Sequence, residues 1–358
     1  GGNAMGANRQ GMWMAAGAIV VALGAGLASA SSESPGDAPQ VRSTPPAHAK
    51  NVVRLATYNV LNLFDAYDDP SLSGSYNDDC YSYDKTVRAK PDNELEALAK
   101  SIRTLDADVI GLEEIESRDA LAAFNAKYLQ GMGYDYVMSI DVLHERGIEQ
   151  AVLSRFPIKQ AMVWPHMDLE GVHPDHVGNY KIRQAGRDIA FSRSPLFVRI
   201  EVPAHTCEGQ DSPYELGLFV VHHKSGGSYG YWRDQEAQGV LRKIRELQAA
   251  DPNINIAVLG DFNAEPEADS IHAYLSAGMR DMVTPPGDHD GYYTHETRRA
   301  IDYILMNPAM AADAQDAMGF VFKTPIRAEG EDYRTTPSPE GFASDHLPVV
   351  IDFVPIDR

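Results

Sequence analysis

Ile254-Asn255-Ile256-Ala257-Val258-Leu259-Gly260-Asp261-Phe262-Asn263 is an apolar run that ends by presenting an Asp and an Asn two residues apart. A short apolar run closed by turn residues reads as a buried strand. Such a strand, ending in Asp261 and Asn263, aims hard oxygen atoms into the cleft beyond it. Five other segments end in the same manner. Asn59 follows the strand-like run 52–58, Glu114 follows Val109-Ile110-Gly111-Leu112, and His222 follows Leu218-Phe219-Val220-Val221. Asp302 interrupts Ile301–Leu305, and Ser344-Asp345-His346 precedes the apolar run 347–351. Six polar strand ends in one chain point to one site.

At 358 residues the chain is long enough for one large α/β domain with a sizeable core. Its formal net charge of −20 argues against stable nucleic-acid binding, which rests on Lys and Arg neutralising phosphates. A transient contact remains open, because a bound metal can supply positive charge where a phosphate sits. Arg9 precedes an apolar stretch from Met12 to Leu27, and Ala28-Ser29-Ala30 offers a small-x-small cleavage pattern. Residues 1–30 therefore read as a signal peptide, leaving no membrane span after cleavage and a secreted or periplasmic monomer. Residues 31–50, rich in Ser, Pro and Ala, read as a disordered linker, and residues 51–356 as one catalytic domain. Only Cys80 and Cys207 are present, a pair that can form a disulfide in an exported protein.

Strands are expected at 52–58, 109–112, 136–140, 150–153, 196–202, 217–222, 254–259, 300–306 and 347–354. Helical spacing of Leu95, Leu98, Ile102 and Leu105 marks a helix over 93–105 with Asp92 as its N-cap. Further helices are expected over 118–129 and 233–250. This alternation suggests a mixed α/β fold with sheets packed face to face and helices outside. Two long loops remain, 66–88 and 163–194, the second carrying His166, His173 and His176.

Phosphodiester hydrolysis needs charge on the phosphoryl oxygens, a group that orients or deprotonates water, and a group that protonates the leaving oxygen. Mg²⁺ suits the first task, held by one or two carboxylates. Glu114 is the leading ligand, with Asn59, Asp261, Asn263 and Asp345 around the same ion or ions. His346 can exchange a proton with water if a carboxylate holds its orientation, and Asp302 is the best such partner. A buried Asp inside an apolar strand is unfavourable unless paired or metal-bound. His222 can donate to a phosphate oxygen; its bland alternative is a satisfied core histidine. His223 points to the opposite face, and Lys224 either contacts phosphate or is simply solvated.

These segments resemble the endonuclease/exonuclease/phosphatase (DNase I-like) superfamily from about 51 to 353. The carriers are Thr57-Tyr58-Asn59-Val60, Ile110-Gly111-Leu112-Glu113-Glu114, Val221-His222-His223-Lys224-Ser225, Gly260-Asp261-Phe262-Asn263, Ile301-Asp302-Tyr303 and Ser344-Asp345-His346. Leu61-Asn62-Leu63-Phe64-Asp65, Arg146-Gly147-Ile148 and Leu153-Ser154-Arg155-Phe156-Pro157-Ile158 further resemble its secreted bacterial branch. The resemblance implies a four-layer α/β sandwich, two packed mixed β-sheets flanked by helices, with the site at one edge. It implies Mg²⁺ or Mn²⁺ bound by Glu114 with help from Asn59 and Asp345. His346, paired with Asp302, and Asp261 would activate water and handle the leaving group, with the choice of base left open. Asn263 and His222 would hold the scissile phosphate. The chain departs from the pattern at Glu113, where Gln is usual, at His223, where Leu is common, and at Ala300, where an Arg often stands. Arg298 or Arg299 can substitute for that Arg.

A nuclease on DNA or RNA is the first expectation, ahead of a phosphomonoesterase and then a phospholipid or sphingomyelin phosphodiesterase. A lipid enzyme wants an exposed aromatic device, for which Tyr229-Gly230-Tyr231-Trp232 and Tyr292-Tyr293 are candidates. A non-catalytic module would show eroded site residues, and none of the main ones is missing. Tyr76, Tyr81 and Tyr83 offer base stacking, while Asp78, Asp79 and Asp84 among them repel phosphate or bind Ca²⁺.

Overall fold

Two parallel strand pairs set the architecture. Val53–Leu63 pairs in parallel with Val109–Ile115, and Tyr214–His222 with Asn255–Asp261. Each pair forms the middle of a larger mixed sheet, in a computed structural model that describes residues 41–66, 89–285 and 291–358. In the seven-stranded sheet the order is Val41–Arg42, Met318–Phe322, Val349–Phe353, Val53–Leu63, Val109–Ile115, Glu149–Ser154 and Tyr136–Ser139. In the six-stranded sheet it is Arg280–Asp281, Asp302–Met306, Asn255–Asp261, Tyr214–His222, Leu196–Val202 and Ile158–Met162.

Alternation along each strand decides what faces what. Val53, Leu55, Val109 and Val152 meet Leu218, Val220, Leu259 and Ile304 between the sheets. The intervening residues Ala56, Ile110 and Leu112 pack under helices Asp92–Leu105 and Arg118–Tyr128. On the far side Phe219, Val221, Ile256 and Val258 are covered by Gly230–Ala250 and Asp269–Ser276. The result is the expected four-layer sandwich. Gly111 sets how closely the sheets approach, since a Cβ there would lie 2.3 Å from Leu259 Cδ1 and 3.1 Å from Val220 Cγ2.

Several expectations shift at their edges. Asp92 is the first helical residue and Pro91 is the N-cap, with no side chain capping. Proline suits that place because a helix start leaves N–H groups unpaired in any case. The stretch from 41 to 50 belongs to the domain and not to a linker. Val41 and Arg42 pair with Val321 and Phe322, the Pro46 carbonyl accepts from Arg54, and His48 lies 3.2 Å from Asp108. The expected loop 163–194 carries two small hairpins, Asp168–Val172 with Asp188–Ala190 and His176–Val177 with Tyr180–Lys181. His173 packs there against Trp232, with ring centroids 4.4 Å apart. Helices Asp269–Ser276 and Pro308–Asp313 were not anticipated.

The expected signal peptide, the linker as far as residue 40, and the acidic loop with Asp78, Asp79, Asp84 and Cys80 lie outside the described residues. A Cys80–Cys207 bridge lies outside them too, although Cys207 itself is buried. Among the described residues no helix is long and apolar enough to cross a membrane.

Candidate active site

The central strand pairs deliver polar residues to one end of the sandwich. His222 and Asp261 are register partners across the parallel pair, and Asp261 and Asp302 across the next antiparallel pair. Three strand ends thus set a histidine and two carboxylates in one row. Gly260 makes that row possible: its φ is +136°, and a Cβ would sit 2.0 Å from the Val221 carbonyl oxygen. The backbone of Asp261 then accepts from the His223 N–H at 2.9 Å.

A second device aims Glu114. Simple alternation would send Glu113 and Glu114 to opposite faces. The ladder to Glu149–Ser154 is irregular between Glu113 and Ile115, and Glu114 has φ +64°. A non-glycine residue held in the left-handed region at a bulge is strained, and such strain clusters where a side chain has to be re-aimed. Here the carboxylate is buried 3.3 Å from Arg146 Nη2 and 3.9 Å from His222 Nε2.

Asp261 is the hub. Its Oδ2 accepts from Asn59 Nδ2 at 3.2 Å and from Asn263 Nδ2 at 3.0 Å. The same oxygen lies 3.4 Å from His222 Nε2 and 3.7 Å from His346 Nε2. Burial raises this carboxyl to about 6, a rise that the His346 charge opposes and Asp302 reinforces. His346 is held from behind, its Nδ1 3.0 Å from both carboxylate oxygens of Asp302. Burial works against its charge, yet Asp302 and Asp261 lift it well above the usual imidazole range. His222 goes the other way, lowered by burial and then by Arg193 and Arg146. Asp345 sits beside the hub, 3.4 Å from His295 Nε2. Although burial opposes it, His295 and His346 hold its carboxyl below the usual range.

A sequence model of the Endonuclease/Exonuclease/phosphatase family matches residues 56–346. The chain belongs to this family. Endonuclease/Exonuclease/phosphatase enzymes are metal-dependent hydrolases of phosphoester bonds, and the chain is one of them. Among solved structures it is similar to an endonuclease/exonuclease/phosphatase from Bacteroides vulgatus, at 15% identity over 85% of this chain and 99% of that one, TM-score 0.50. A family protein from Bacteroides thetaiotaomicron is similar at 15% identity over 85% and 98%, TM-score 0.50. The human Nocturnin catalytic domain with bound sulfate aligns at 15% identity over 84% and 94%, TM-score 0.48. No curated protein sequence matches the chain.

All eight expected site residues converge at this end of the Endonuclease/Exonuclease/phosphatase fold. Asn59, Asn263, His222 and His346 contact or flank Asp261, Asp302 orients His346, and Glu114 and Asp345 border the cluster. The residues fit a divalent metal: Glu114 Oε2 is buried without a hydrogen-bond partner, with only the Arg146 guanidinium facing it at 3.3 Å, and the carboxylates and amide oxygen at hand are hard donors. His223 faces away, as expected, its Nε2 3.0 Å from the Tyr274 hydroxyl. Neither candidate substitute for the missing Arg bonds Asp302, which is held by Thr294 and His346. Arg298 lies over the Tyr293 ring and Arg299 bonds Thr297.

Sequence reasoning missed the supports. Thr294 Oγ1 donates to Asp302 Oδ2 at 2.6 Å, and His295 forms a bridge with His346 while facing Asp345. Arg193 donates to the main-chain carbonyls of His222 and His223 at 2.9 and 2.5 Å. No periodicity marks these three residues. They act from loops whose position depends on the completed sheets.

Proposed function

We propose that the chain is a secreted, Mg²⁺-dependent phosphodiesterase that cleaves nucleic acid. The observation that carries this reading is the approach of His346 Nε2 to Asp261 Oδ2, at 3.7 Å, with Asp302 fixing the imidazole from its other nitrogen. One member of the His346–Asp261 pair takes a proton from the attacking water, and the other returns a proton to the leaving oxygen as the P–O bond breaks. His222 and the Asn263 amide donate to the non-bridging oxygens and orient the phosphate for attack. Glu114, Asn59 and Asp345 would hold Mg²⁺, which when bound supplies positive charge to the phosphoryl and leaving oxygens.

Support for nucleic acid over lipid comes from the aromatic segments. Trp232 and Tyr292 are buried, and Tyr229 and Tyr231 pack against Trp232 and His173, so neither segment offers an exposed aromatic face for entering a bilayer. Export rests on the sequence pattern of residues 1–30.

Supercoiled plasmid with Mg²⁺ tests the reading, using EDTA and His346→Ala as controls. Nicking that needs both the metal and His346 is expected. Absence of nicking by folded protein that still hydrolyses p-nitrophenyl phosphate would move the substrate to small phosphomonoesters.

A further inference from the structure

The turn Thr294–Arg299 lies just before the Asp302 strand and straps the segment that carries Asp345 and His346. The Leu347 N–H donates to the Thr294 carbonyl at 2.6 Å, and the Glu296 N–H to the Asp345 carbonyl at 2.8 Å. Arg298, with φ +64°, closes the turn, its N–H donating to the His295 carbonyl at 2.9 Å. A non-glycine residue persists in that left-handed region only where its surroundings fix it. The strap sets the His295 imidazole edge-on to His346, with ring centroids 4.6 Å apart, and brings its Nε2 to 3.4 Å from Asp345 Oδ2.

Which nitrogen of His295 carries the proton follows from Thr297. The Thr297 N–H donates to His295 Nδ1 at 3.1 Å, and Thr297 Oγ1 lies 2.8 Å from the same nitrogen. Arg299 Nε donates to that oxygen at 3.1 Å, which leaves the hydroxyl proton to point at Nδ1. Nδ1 therefore accepts, and the ring proton sits on Nε2, facing Asp345. His295, Asp345 and His346 bring ligand atoms within 4.8 Å of one another. A ring held in this way nevertheless offers the carboxylate a donor and a metal ion no lone pair. The other carboxylate oxygen keeps its lone pairs, because Ser344 Oγ, 3.5 Å from Asp345 Oδ1, gives its proton to the Asn59 carbonyl at 2.7 Å. Asp345 leaves 24% of its side chain exposed, so a cation can reach it.

We propose that His295 is a positioning residue that holds Asp345 through Oδ2 and leaves Oδ1 to the divalent cation. The inference deepens the proposed function and rests on its assignment of Asp345 to the metal site. Carboxylates that bind metals are themselves held by outer partners, and losing one costs about 10–100-fold in metal affinity. Arg299 acts here and not on Asp302: it fixes the Thr297 hydroxyl, which in turn fixes the imidazole.

Binding of Mn²⁺ to the purified full chain, read from the paramagnetic resonance of the free ion with no substrate present, tests this role. Asp345→Asn checks the ligand assignment, and His295→Phe removes the donor while keeping a planar ring. Mn²⁺ should bind His295→Phe at least about tenfold more weakly than the unaltered chain. His295→Gln can still donate and should keep most of the affinity. In the Asp345→Asn background His295→Phe should cost nothing further. If Asp345→Asn weakens binding and His295→Phe does not, the metal-site reading stands and the positioning role is overturned. Equal losses in His295→Gln and His295→Phe, or additive losses in the double variant, overturn it as well. Unchanged binding in Asp345→Asn removes Asp345 from the metal site, and the positioning role falls with it. Should His295→Phe fail to fold, Thr297→Val on the exposed turn decides: weaker binding supports the role and unchanged binding overturns it.

Discussion

His346 and Asp302, 44 residues apart in the chain, are joined through a single nitrogen, with Nδ1 3.0 Å from each carboxylate oxygen. The carboxylate is itself fixed, because Thr294 Oγ1 donates to Oδ2 at 2.6 Å and accepts the N–H groups of Ile301 and Asp302. Nδ1 is thereby held as the donor to Asp302, with Nε2 turned toward Asp261. Asp302→Asn keeps the shape but loses the charge that holds the imidazole in place. Turnover of bis(p-nitrophenyl) phosphate should fall by about 10²–10⁴-fold, the worth of a positioned acid or base. Residues that act as a unit are non-additive, so adding His346→Ala should cost little more. Fully additive losses in the double variant would show that the two act separately.

Glu113 and Glu114 are neighbours in sequence with opposite surroundings. Glu114 borders the site, whereas Glu113 is fully buried and accepts from Thr57 Oγ1 at 2.9 Å. Burial, reinforced by Asp302, raises the Glu113 carboxyl well above the usual range. Changing even an outer partner of a metal ligand costs about 10–100-fold in affinity, and a ligand should cost no less. Glu114→Gln should therefore raise the Mg²⁺ concentration for half-maximal activity by at least that factor. Glu113→Gln should leave it unchanged. An equal shift in both variants would make Glu113 a ligand.

What the sequence made legible was what strands impose. A buried strand writes its identity as an apolar run; a lone polar residue at its end more often serves a turn or helix cap, but six such ends together point to a site. Asp261, His222 and Asp302 were therefore readable, and their register in adjacent strands shows why. Glu114 was readable as a ligand candidate, but the bulge that re-aims it was not, since positive φ at a glutamate leaves no mark in composition. The supports were silent for a different reason. Thr294 gains its role when its loop turns back on the Asp302 strand, and His295 and Arg193 gain theirs when separate segments meet. The segment 41–50 read as linker because its anchors, Val321, Asp108 and Arg54, lie on other elements.

Arg54 has no exposed surface, and its guanidinium bonds Asp352 through Nε and Nη2, both at 2.7 Å, and the Leu105 carbonyl at 2.8 Å. Removing one member of a buried pair strands the other charge, at a cost of about 3–5 kcal/mol. Asp352→Ala should show that loss in urea denaturation at neutral pH. Replacing both, as Arg54→Met with Asp352→Leu, should recover most of it, because two apolar groups leave no charge to desolvate. A double variant as unstable as Asp352→Ala would show that shape, not charge, dominates there.

Glu149, the register partner of Ile115, offers a test of stability. It is buried at the start of its strand, with Ser139 Oγ as its hydrogen-bond partner. Burial pushes its carboxyl from 4.5 up to about 8, opposed by that hydrogen bond and reinforced by Asp141. The unfolded chain releases this proton near 4.5 and the folded chain near 8, so between those values the folded state holds more proton. Stability from this group is therefore complete below pH 4.5 and is lost as pH rises through 8. At about 1.4 kcal/mol per pKa unit the loss is at most about 5 kcal/mol. Glu149→Gln cannot ionise and escapes it. Urea denaturation should find the variant close to the unaltered chain at pH 5 and several kcal/mol more stable at pH 9. Parallel stability profiles for the two proteins across that range would mean that the carboxylate ionises in the folded state without penalty, through water or a cation reaching it.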